Sequence, residues 1–394
     1  MSSEVPLARP WFGPEEADAV NEVLASGWVS QGPRVEAFEQ NLAKLLGCRS
    51  VIAVNSGTSA LMLALRSLDI GPGDSVIVPA FGCAATVLPV LESGAKAIFA
   101  DVDPTTFNLT WESVSRVLEP DTKAVILVHM FGRIAEADKI AAECKNRNLL
   151  LVEDAALALG ARKASRFAGT FGPAGCFSFH PRKILTTGEG GAICTDSQEL
   201  AAHARAARNY GAAQTAWARF QTGDGSPRGF TRLGFNCKLT DLQAAIGSVQ
   251  LNRLPHVLSR RAEIAARYTA GLARSGLILP CLPAVPAEHV FQAYVCVWSP
   301  EHLAEITRDP SRLAAAESSL STLKKTMAQA QIAVSDAAQF LPELPVFGQG
   351  QLQRACPNAH AVSRLAFAIP IYPLMTDEQI DRVIETMLKA TEHG

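Results

Sequence analysis

The stretch GPAGCFSFHPRKILTTGEGGAICT, residues 172–195, places a lysine between two apolar runs. Lys183 follows a largely aromatic run and precedes the glycines Gly188, Gly190 and Gly191. The pattern predicts two buried strands joined by a tight glycine-rich turn that carries the lysine. Most lysines at turns lie in water, so the alternative is an ordinary surface lysine.

Apolar runs alternate with helical patterns on the N-terminal side of this stretch. We predict strands at 51–54, 74–79, 96–103, 123–130 and 148–155. Helical patterns separate them, as at residues 134–148. Continuous apolar strands that alternate with helices indicate a mostly parallel sheet covered on both faces. The predicted fold class is therefore α/β.

The ends of the chain add helices and a second domain. An amphipathic helix is predicted after Gly13, with apolar residues at 17, 20 and 24 and Gly27 as its stop. After residue 240 a long helical pattern contains Pro255 as a predicted kink. A strand is predicted at 289–298 and helices near 309–330 and 376–391. We divide the chain into a large domain, 1–254, and a smaller C-terminal α+β domain, 255–394.

Composition narrows the function classes. The 394 residues carry a net charge of −2 without a basic block, which argues against nucleic acid or an anionic membrane as partner. No apolar run reaches 18 residues and no signal pattern opens the chain, so we expect a cytoplasmic protein. The nine cysteines are dispersed and never spaced C-x-x-C. Neither a disulfide framework nor a metal site is predicted.

Two polar features stand at predicted strand ends. In NSGTSA, the free backbone N–H groups of Gly57, Thr58 and Ser59 would open a helix and form a phosphate site. The alternative is an ordinary helix cap by Ser56. Asp154 ends an apolar strand, at the edge of a parallel sheet where ligands bind. Its alternative is also a helix cap.

The candidate phosphate site and Asp154 suggest a chemical role for Lys183. An ordinary lysine has a pKa of about 10.4 and is a poor nucleophile at neutral pH. Burial among Phe177 and Phe179 would lower that pKa, and the neutral amine could form a Schiff base with an aldehyde. A phosphate site, a carboxylate for a pyridinium nitrogen and a lysine for a carbonyl carbon are the three anchors that pyridoxal phosphate needs.

Six motifs occur in a fixed order: NSGTSAL, GPGDSVIVPAF, VEDAA, GCFSFHPRK, GEGGAICT and GFNCKLTDLQAAIGSVQL. With them the sequence resembles, almost from end to end, the DegT/StrS nucleotide-sugar aminotransferases, which are fold-type I pyridoxal-phosphate enzymes. The resemblance implies a large cofactor-binding domain with a mostly parallel mixed sheet. It also implies pyridoxal 5′-phosphate as cofactor and an amino acid, with glutamate expected, as donor. The acceptor would be a keto sugar on a nucleoside diphosphate, for amino-sugar biosynthesis.

The resemblance assigns roles to matching positions. Lys183 matches the lysine that holds the cofactor's aldehyde carbon and moves a proton, and Asp154 matches the partner of the ring nitrogen. Gly57 and Thr58 match the phosphate-binding turn, and Ser178 matches a serine that contacts the phosphate. Because some relatives that act as sugar dehydratases carry histidine in place of the lysine, retention of Lys183 favours transamination.

Asn236 matches an asparagine that reaches the phosphate from the neighbouring subunit, which implies a homodimer with a shared active site. Without the resemblance, Asn236 reads as a loop residue. Arg232 and Lys238 flank it and either face the substrate's diphosphate or are plain surface charges.

Three positions depart from the family pattern. Cys83 stands where an aromatic residue usually stacks on the cofactor ring. Leu157 replaces the usual Gln, His or Glu near the ring oxygen, and Gln292 stands where histidine is frequent. Cys83 and Leu157 leave open a non-catalytic sensor or scaffold that binds the cofactor. An aminotransferase for a keto-cyclitol or another small ketone is a second alternative, because the family that the sequence resembles includes such members. Substrate choice is expected in the loop at residues 212–232.

Overall fold

The computed structural model describes residues 4–223, 229–298, 310–348 and 355–392. Its strands are β1 (Ser50–Val54), β2 (Ser75–Pro79), β3 (Phe81–Gly82), β4 (Lys96–Ala100), β5 (Thr122–Val128), β6 (Leu150–Asp154), β7 (Arg162–Lys163), β8 (Arg166–Phe167), β9 (Ala174–Ser178), β10 (Gly191–Thr195), β11 (Tyr294–Val297), β12 (Ser335–Asp336), β13 (Gln339–Phe340) and β14 (Ala366–Ile369). The five strands predicted between residues 51 and 155 correspond, in order, to β1, β2, β4, β5 and β6.

The helices are α1 (Pro14–Ser26), α2 (Pro33–Leu46), α3 (Gly57–Ser67), α4 (Ala84–Glu92), α5 (Trp111–Ser115), α6 (Ala137–Asn146), α7 (Gln198–Ala207), α8 (Ala216–Thr222), α9 (Asp241–Gly271), α10 (Pro310–Gln329), α11 (Pro357–Leu365) and α12 (Asp377–Glu392). Short 3-10 helices lie at Met130–Gly132, Pro286–Glu288, Leu341–Glu343 and Pro345–Phe347.

The central sheet has the strand order β1-β10-β9-β6-β5-β2-β4. Strand β10 runs antiparallel to both of its neighbours, and the remaining pairs are parallel. The inner strands are almost entirely buried, which explains their continuous apolar sequences. This mostly parallel mixed sheet agrees with the predicted α/β class.

The register of the sheet gathers three chain segments at one edge. Val54, the last residue of β1, pairs with Gly191, the first residue of β10. Gly191 pairs on its other side with Ser178, the last residue of β9. Asp154 ends the neighbouring strand β6, which runs parallel to β9. The carboxyl ends of β1, β6 and β9 therefore meet where ligands bind in parallel sheets.

Two local predictions need correction. The connection between β9 and β10 is not a tight turn but a loop over residues 179–190. Helix α1 forms as predicted and Gly27 ends it with a positive φ of 72°, but its apolar face is different. Leu24 is 56% exposed, whereas Glu16 is buried. Glu16 points inward because it forms an ion pair of 2.9 Å with Arg253 on α9.

The C-terminal part forms a second layer around the antiparallel sheet β11-β14-β12. Helix α9 continues through Pro255, so the proline does not end it, and the predicted domain boundary falls inside this helix. Strand β13 pairs with β3 of the N-terminal part. The carboxylate of Asp101 accepts hydrogen bonds from the amides of Ala359 (2.8 Å) and Asn358 (3.2 Å) at the start of α11. These contacts tie the two parts together, and the division at residue 255 stays a prediction.

Candidate active site

The start of helix α3 is pressed against the end of β9. A Cβ atom on Gly57 would lie 2.8 Å from the Cβ of Ser178, and one on Gly191 would lie 2.4 Å from the carbonyl oxygen of Ser56. Glycine at both positions permits this close approach. The backbone N–H groups of Gly57 and Thr58, in the first turn of α3, have no intrahelical partners, so this helix start beside Ser178 is a candidate anion site, called the cradle below.

The cradle and the helix cap coexist on neighbouring residues. The Ser56 hydroxyl accepts a hydrogen bond of 3.0 Å from the Ser59 amide, as a helix cap does. The expectation that Ser59 contributes a free N–H group is therefore wrong. Gly57 and Thr58 remain as the candidate phosphate-binding amides, and Thr58 is exposed.

Substitution of Gly57 by alanine tests the cradle. Alanine normally stabilises a helix relative to glycine by about 1 kcal/mol. Here the 2.8 Å approach to Ser178 is expected to push the helix start away from β9 and to weaken phosphate binding about tenfold or more. The measurement is the dissociation constant of pyridoxal phosphate. Gly71→Ala is the control, since its Cβ would find no atom closer than 3.6 Å. An unchanged dissociation constant in Gly57→Ala would contradict the assignment of this helix start as the phosphate site.

Asp154 is 5% exposed and its two carboxylate oxygens have separate donors. The Thr86 hydroxyl in the first turn of α4 donates to Oδ2 over 2.7 Å. The Ala156 amide donates to Oδ1 over 3.1 Å. Residues 156–160 form turns and not a helix, so the alternative role of Asp154 as a helix cap is excluded. The carboxylate is held in one orientation at the sheet edge.

Thr86→Val removes the hydroxyl while keeping the shape of the side chain. A hydrogen bond to a charged group contributes about 1.5–3 kcal/mol, so the affinity for pyridoxal phosphate is expected to fall about tenfold. Equilibrium titration of the apoprotein measures this affinity. Thr86→Ser keeps the donor and serves as the matched control. Equal affinity of the valine and serine variants would show that the Thr86 hydroxyl does not support Asp154.

Lys183 is not a surface lysine at the tip of a turn. It is half-buried, and burial lowers its pKa, while the nearby carboxylate of Asp154 and the thiol of Cys83 act in the opposite direction. Its amide donates to the His180 carbonyl over 2.8 Å. The structure therefore places this amine within electrostatic reach of Asp154, as the sequence pattern suggested, and desolvation is the larger effect on its pKa.

Gln292 fixes the backbone beside this lysine. Its side-chain amide donates to the Arg182 carbonyl over 2.7 Å, and its backbone amide donates to the Phe131 carbonyl over 2.9 Å. The segment from the C-terminal part thus contacts the loop of Lys183 directly. The sequence marked this position only as a departure from the family pattern.

Cys83 and Leu157, the two other positions that depart from the family pattern, follow strands of the central sheet at its carboxyl edge. Cys83 is exposed and occupies the cap position before α4. Leu157 is half-buried and packs against the hydrophobic core. A Cβ on Gly132 would lie 2.9 Å from the Leu157 carbonyl oxygen, so this loop is closely packed.

Asn236 lies beside Asn55, close to the cradle, and its side chain is already engaged within its own chain. Its Oδ1 accepts from the Lys238 ammonium over 2.5 Å, and its carbonyl accepts from the Asn55 side chain over 3.4 Å. Lys238 also lies 4.0 Å from the centre of the Tyr210 ring, and burial lowers its pKa. Arg232 lines a different surface cleft, together with Arg66.

Sequence reasoning missed a buried network behind Asp154. The Glu153 carboxylate is fully buried and accepts hydrogen bonds from the amides of Gly169 (2.8 Å), Phe171 (2.5 Å) and Gly172 (2.7 Å). It also pairs with His129 Nε2 over 2.8 Å. Because His129 Nδ1 accepts from the Ala135 amide, Nε2 carries the proton and donates to Glu153. The sequence signal for this network was Glu153 itself, an acidic residue at the end of the apolar run LLLV.

The comparisons with known proteins identify the class of this protein as an aminotransferase. The profile of the DegT/DnrJ/EryC1/StrS aminotransferase family matches residues 11–388, and the chain belongs to this family. It is 35% identical over 394 residues to a dTDP-4-dehydro-2,3,6-trideoxy-D-glucose 4-aminotransferase of Saccharopolyspora spinosa, with 98% of this chain and 97% of the relative covered. It is 34% identical over 388 residues to the spore coat polysaccharide biosynthesis protein SpsC of Bacillus subtilis (strain 168), with 97% and 96% covered.

A solved structure supports the same assignment. Spr1654 of Streptococcus pneumoniae in its PMP form has a TM-score of 0.89 to this chain at 26% identity, and the match covers 99% of each chain. Its PLP form has a TM-score of 0.85. The predicted family, the fold-type I transferase fold and the aminotransferase class are confirmed.

Two further findings concern the described ranges alone. None of their helices combines the length and the apolar content that crossing a membrane requires. Nor do these ranges bring three or more His, Cys, Asp or Glu side chains into an arrangement that could hold a metal ion.

Proposed function

We propose that this aminotransferase uses pyridoxal 5′-phosphate to move an amino group from an amino acid, with glutamate as first choice, to a keto sugar on a nucleoside diphosphate. One observation carries the proposal. A desolvated lysine, an oriented carboxylate and a glycine-built anion cradle lie together at the carboxyl edge of the sheet. These are the three groups that this cofactor requires.

The residues of the site fit the cofactor chemically. The amides of Gly57 and Thr58, with the Ser178 hydroxyl, would hold the phosphate. Asp154 would hold the ring nitrogen in its protonated form, and Lys183 would hold the carbonyl carbon. When bound, the cofactor supplies an electron sink for the carbon that loses its proton.

Lys183 has the properties of the proton-transferring group. Burial lowers its pKa, so its neutral amine is reached at a lower pH than that of an exposed lysine. A general acid or base is most effective when its pKa lies close to the working pH. Lys183 would take the proton from the donor's α-carbon and deliver it to the cofactor's former carbonyl carbon, which would then carry the amino group while the donor leaves as a keto acid.

Cys83 and Leu157 would line the cofactor ring without the usual aromatic and polar contacts. Both side chains leave the lysine and the carboxylate in place, so the chemistry persists and the ring is held less tightly. The double variant Cys83→Phe, Leu157→Gln is expected to bind the cofactor more strongly than the natural chain.

We further propose a homodimer with a shared active site, in which Asn236 reaches the cofactor phosphate of the neighbouring subunit. The side chains of Tyr210, Phe230 and Leu233, in the segment that precedes Asn236, support this because they are large, apolar and exposed in the single chain. Sedimentation of the protein would measure its oligomeric state. A monomer that turns over would overturn the shared site.

A cytoplasmic location belongs to the same proposal. The described cysteines are free, and six of the nine are buried, as is usual where thiols stay reduced. Part of the loop at 212–232, where substrate choice is expected, lies outside the described residues.

The visible absorption spectrum tests the function. The purified protein should show the band of a lysine-bound cofactor, and excess glutamate should bleach it. Lys183→Ala should lack that band. A band that no amino acid changes would favour the sensor or scaffold instead. Nucleotide keto sugars should then restore the band of the glutamate-treated protein, and restoration by keto-cyclitols alone would correct the acceptor class.

A further inference from the structure

Two phenylalanines in paired segments of the chain have strained backbones. Phe131 has a φ of 54° and Phe291 has a φ of 47°, in the left-handed region that bulky side chains rarely adopt. The Gln292 amide donates to the Phe131 carbonyl over 2.9 Å, and the Val290 amide donates to the Gly132 carbonyl over 3.0 Å. Such strain persists only where surrounding contacts impose it, and it is concentrated at functional sites.

Side chains impose the backbone conformation at Phe291. The His289 ring stacks on the Phe291 ring with centres 3.9 Å apart, and its Nδ1 accepts from the Phe291 amide over 3.1 Å. Burial lowers the pKa of His289 to about 3, so the ring is neutral and Nδ1 can accept. Arg261 Nη1 donates to the carbonyls of Phe291 (2.9 Å) and Gln292 (3.1 Å). Both backbone polar atoms of Gln292 are therefore bound, which fixes the direction in which its side chain leaves the backbone.

The side chain of Gln292 reaches the peptide unit that leads into Lys183. Its Nε2 donates to the Arg182 carbonyl over 2.7 Å. The N–H of the same peptide unit belongs to Lys183 and donates to the His180 carbonyl over 2.8 Å. Both polar atoms of this unit are thus held, one from its own loop and one from the C-terminal part. Because a peptide unit is planar, two such bonds resist its rotation and fix the direction of the lysine.

We propose that Gln292 is a positioning residue for Lys183: its hydrogen bond to the Arg182 carbonyl aims the lysine amine at the carboxyl edge of the sheet. The proposal rests on the proposed function for what the amine does there. The alternative is a bond that only joins the two parts of the chain. These two roles differ in one property, since only a positioning role changes the surroundings of the amine when the bond is lost.

Burial is the largest effect on the amine, and it lowers the pKa of Lys183. Titratable groups around the amine act in both directions. They are Asp154, Cys83, Arg182 and Glu189, and Arg9 and Arg261 line the cleft beside the lysine. Loss of the Gln292 bond leaves all of these groups in place but releases the loop toward water. The amine then loses part of its desolvation, and its pKa is expected to rise toward the ordinary value of about 10.4.

Three variants separate the two roles. Gln292→Met removes the donor and keeps the length of the side chain, and Gln292→His restores an N–H donor at a similar reach. Gln198→Met, at the exposed start of α7, is the matched control. All variants are compared where thermal melting shows them to be folded.

Two readouts follow the amine of Lys183. The full chain, freed of cofactor, is acetylated with acetic anhydride at a series of pH values. Mass spectrometry of the peptide that carries Lys183 then gives the midpoint of the pH profile of its amine. The second readout is the rate at which added pyridoxal phosphate forms the lysine-bound band at neutral pH.

We expect the acetylation midpoint to rise by about 0.3–1 pH unit in Gln292→Met, because this is the effect of one hydrogen bond on an equilibrium. Band formation at neutral pH should slow about two- to tenfold, since less of the amine is neutral. Gln292→His should largely restore both values, and Gln198→Met should match the wild type.

An unchanged acetylation midpoint in Gln292→Met overturns the positioning role, even if the thermal midpoint falls, because the bond then only joins the two parts. A midpoint that rises equally in Gln292→Met and Gln292→His also overturns it, since the donor would not matter. The acetylation needs no cofactor. A wild-type protein that forms no band would therefore overturn the proposed function, while the acetylation midpoints still decide the positioning role.

Discussion

Replacement of Lys183 by alanine is expected to lower turnover by on the order of 10³-fold or more, since loss of a positioned proton-transfer group alone costs 10²–10⁴-fold. The variant loses both the amine that holds the carbonyl carbon and the group that moves the proton. Asp154 and the cradle at Gly57 remain, so the protein should still bind the cofactor non-covalently. Turnover with glutamate and a nucleotide keto sugar, recorded with the absorption spectrum, measures both effects.

Lys163→Ala is the matched control for this change. Lys163 forms a surface ion pair of 2.9 Å with Asp138, and such pairs contribute little to stability. Its removal should leave turnover and spectrum unchanged. A Lys183→Ala protein with a tenth or more of the wild-type turnover would show that another group moves the proton.

Glu153→Gln is expected to destabilise the protein by about 3 kcal/mol, as breaking a buried charged network does. The carboxylate accepts from four donors, two on each oxygen. Glutamine has the same shape but offers one acceptor oxygen, so its NH₂ group must face two N–H donors. The thermal midpoint should fall by several degrees, and the cofactor should dissociate faster because Asp154 follows directly in the strand.

Glu143→Gln provides the comparison for this stability change. Glu143 pairs with Arg147 on the surface of α6, where an ion pair contributes well under about 1 kcal/mol. The two substitutions are chemically identical, and the sites differ in burial and in the number of donors that face the carboxylate. If both variants melted at the same temperature, the network around Glu153 would not stabilise the fold.

Local patterns predicted much of the sheet and pointed to Asp154 and Lys183 as candidate site residues. Strands such as β5 and β6 are continuous apolar runs, and burial on both faces requires that composition. Asp154 is the polar last residue of such a run, and Lys183 stands in the loop between two of them. Residues of this kind are identified from their immediate neighbours in sequence.

Features that depend on distant contacts escaped the sequence. Thr86 is one threonine in a helix, and only the fold brings its hydroxyl to Asp154. The inward position of Glu16 requires Arg253, far away in the chain.

The pairing of the edge strand β1 with the distant strand β10 affects how the chain folds while it is synthesised. In the central sheet β1 pairs with β10 alone among the described strands. A ribosome adds about 5–20 residues per second, so β1 waits on the order of ten seconds before β10 has emerged. During that time its buried side chains Ile52 and Val54 have no sheet neighbour. The nascent chain therefore exposes an apolar strand edge that a chaperone can recognise.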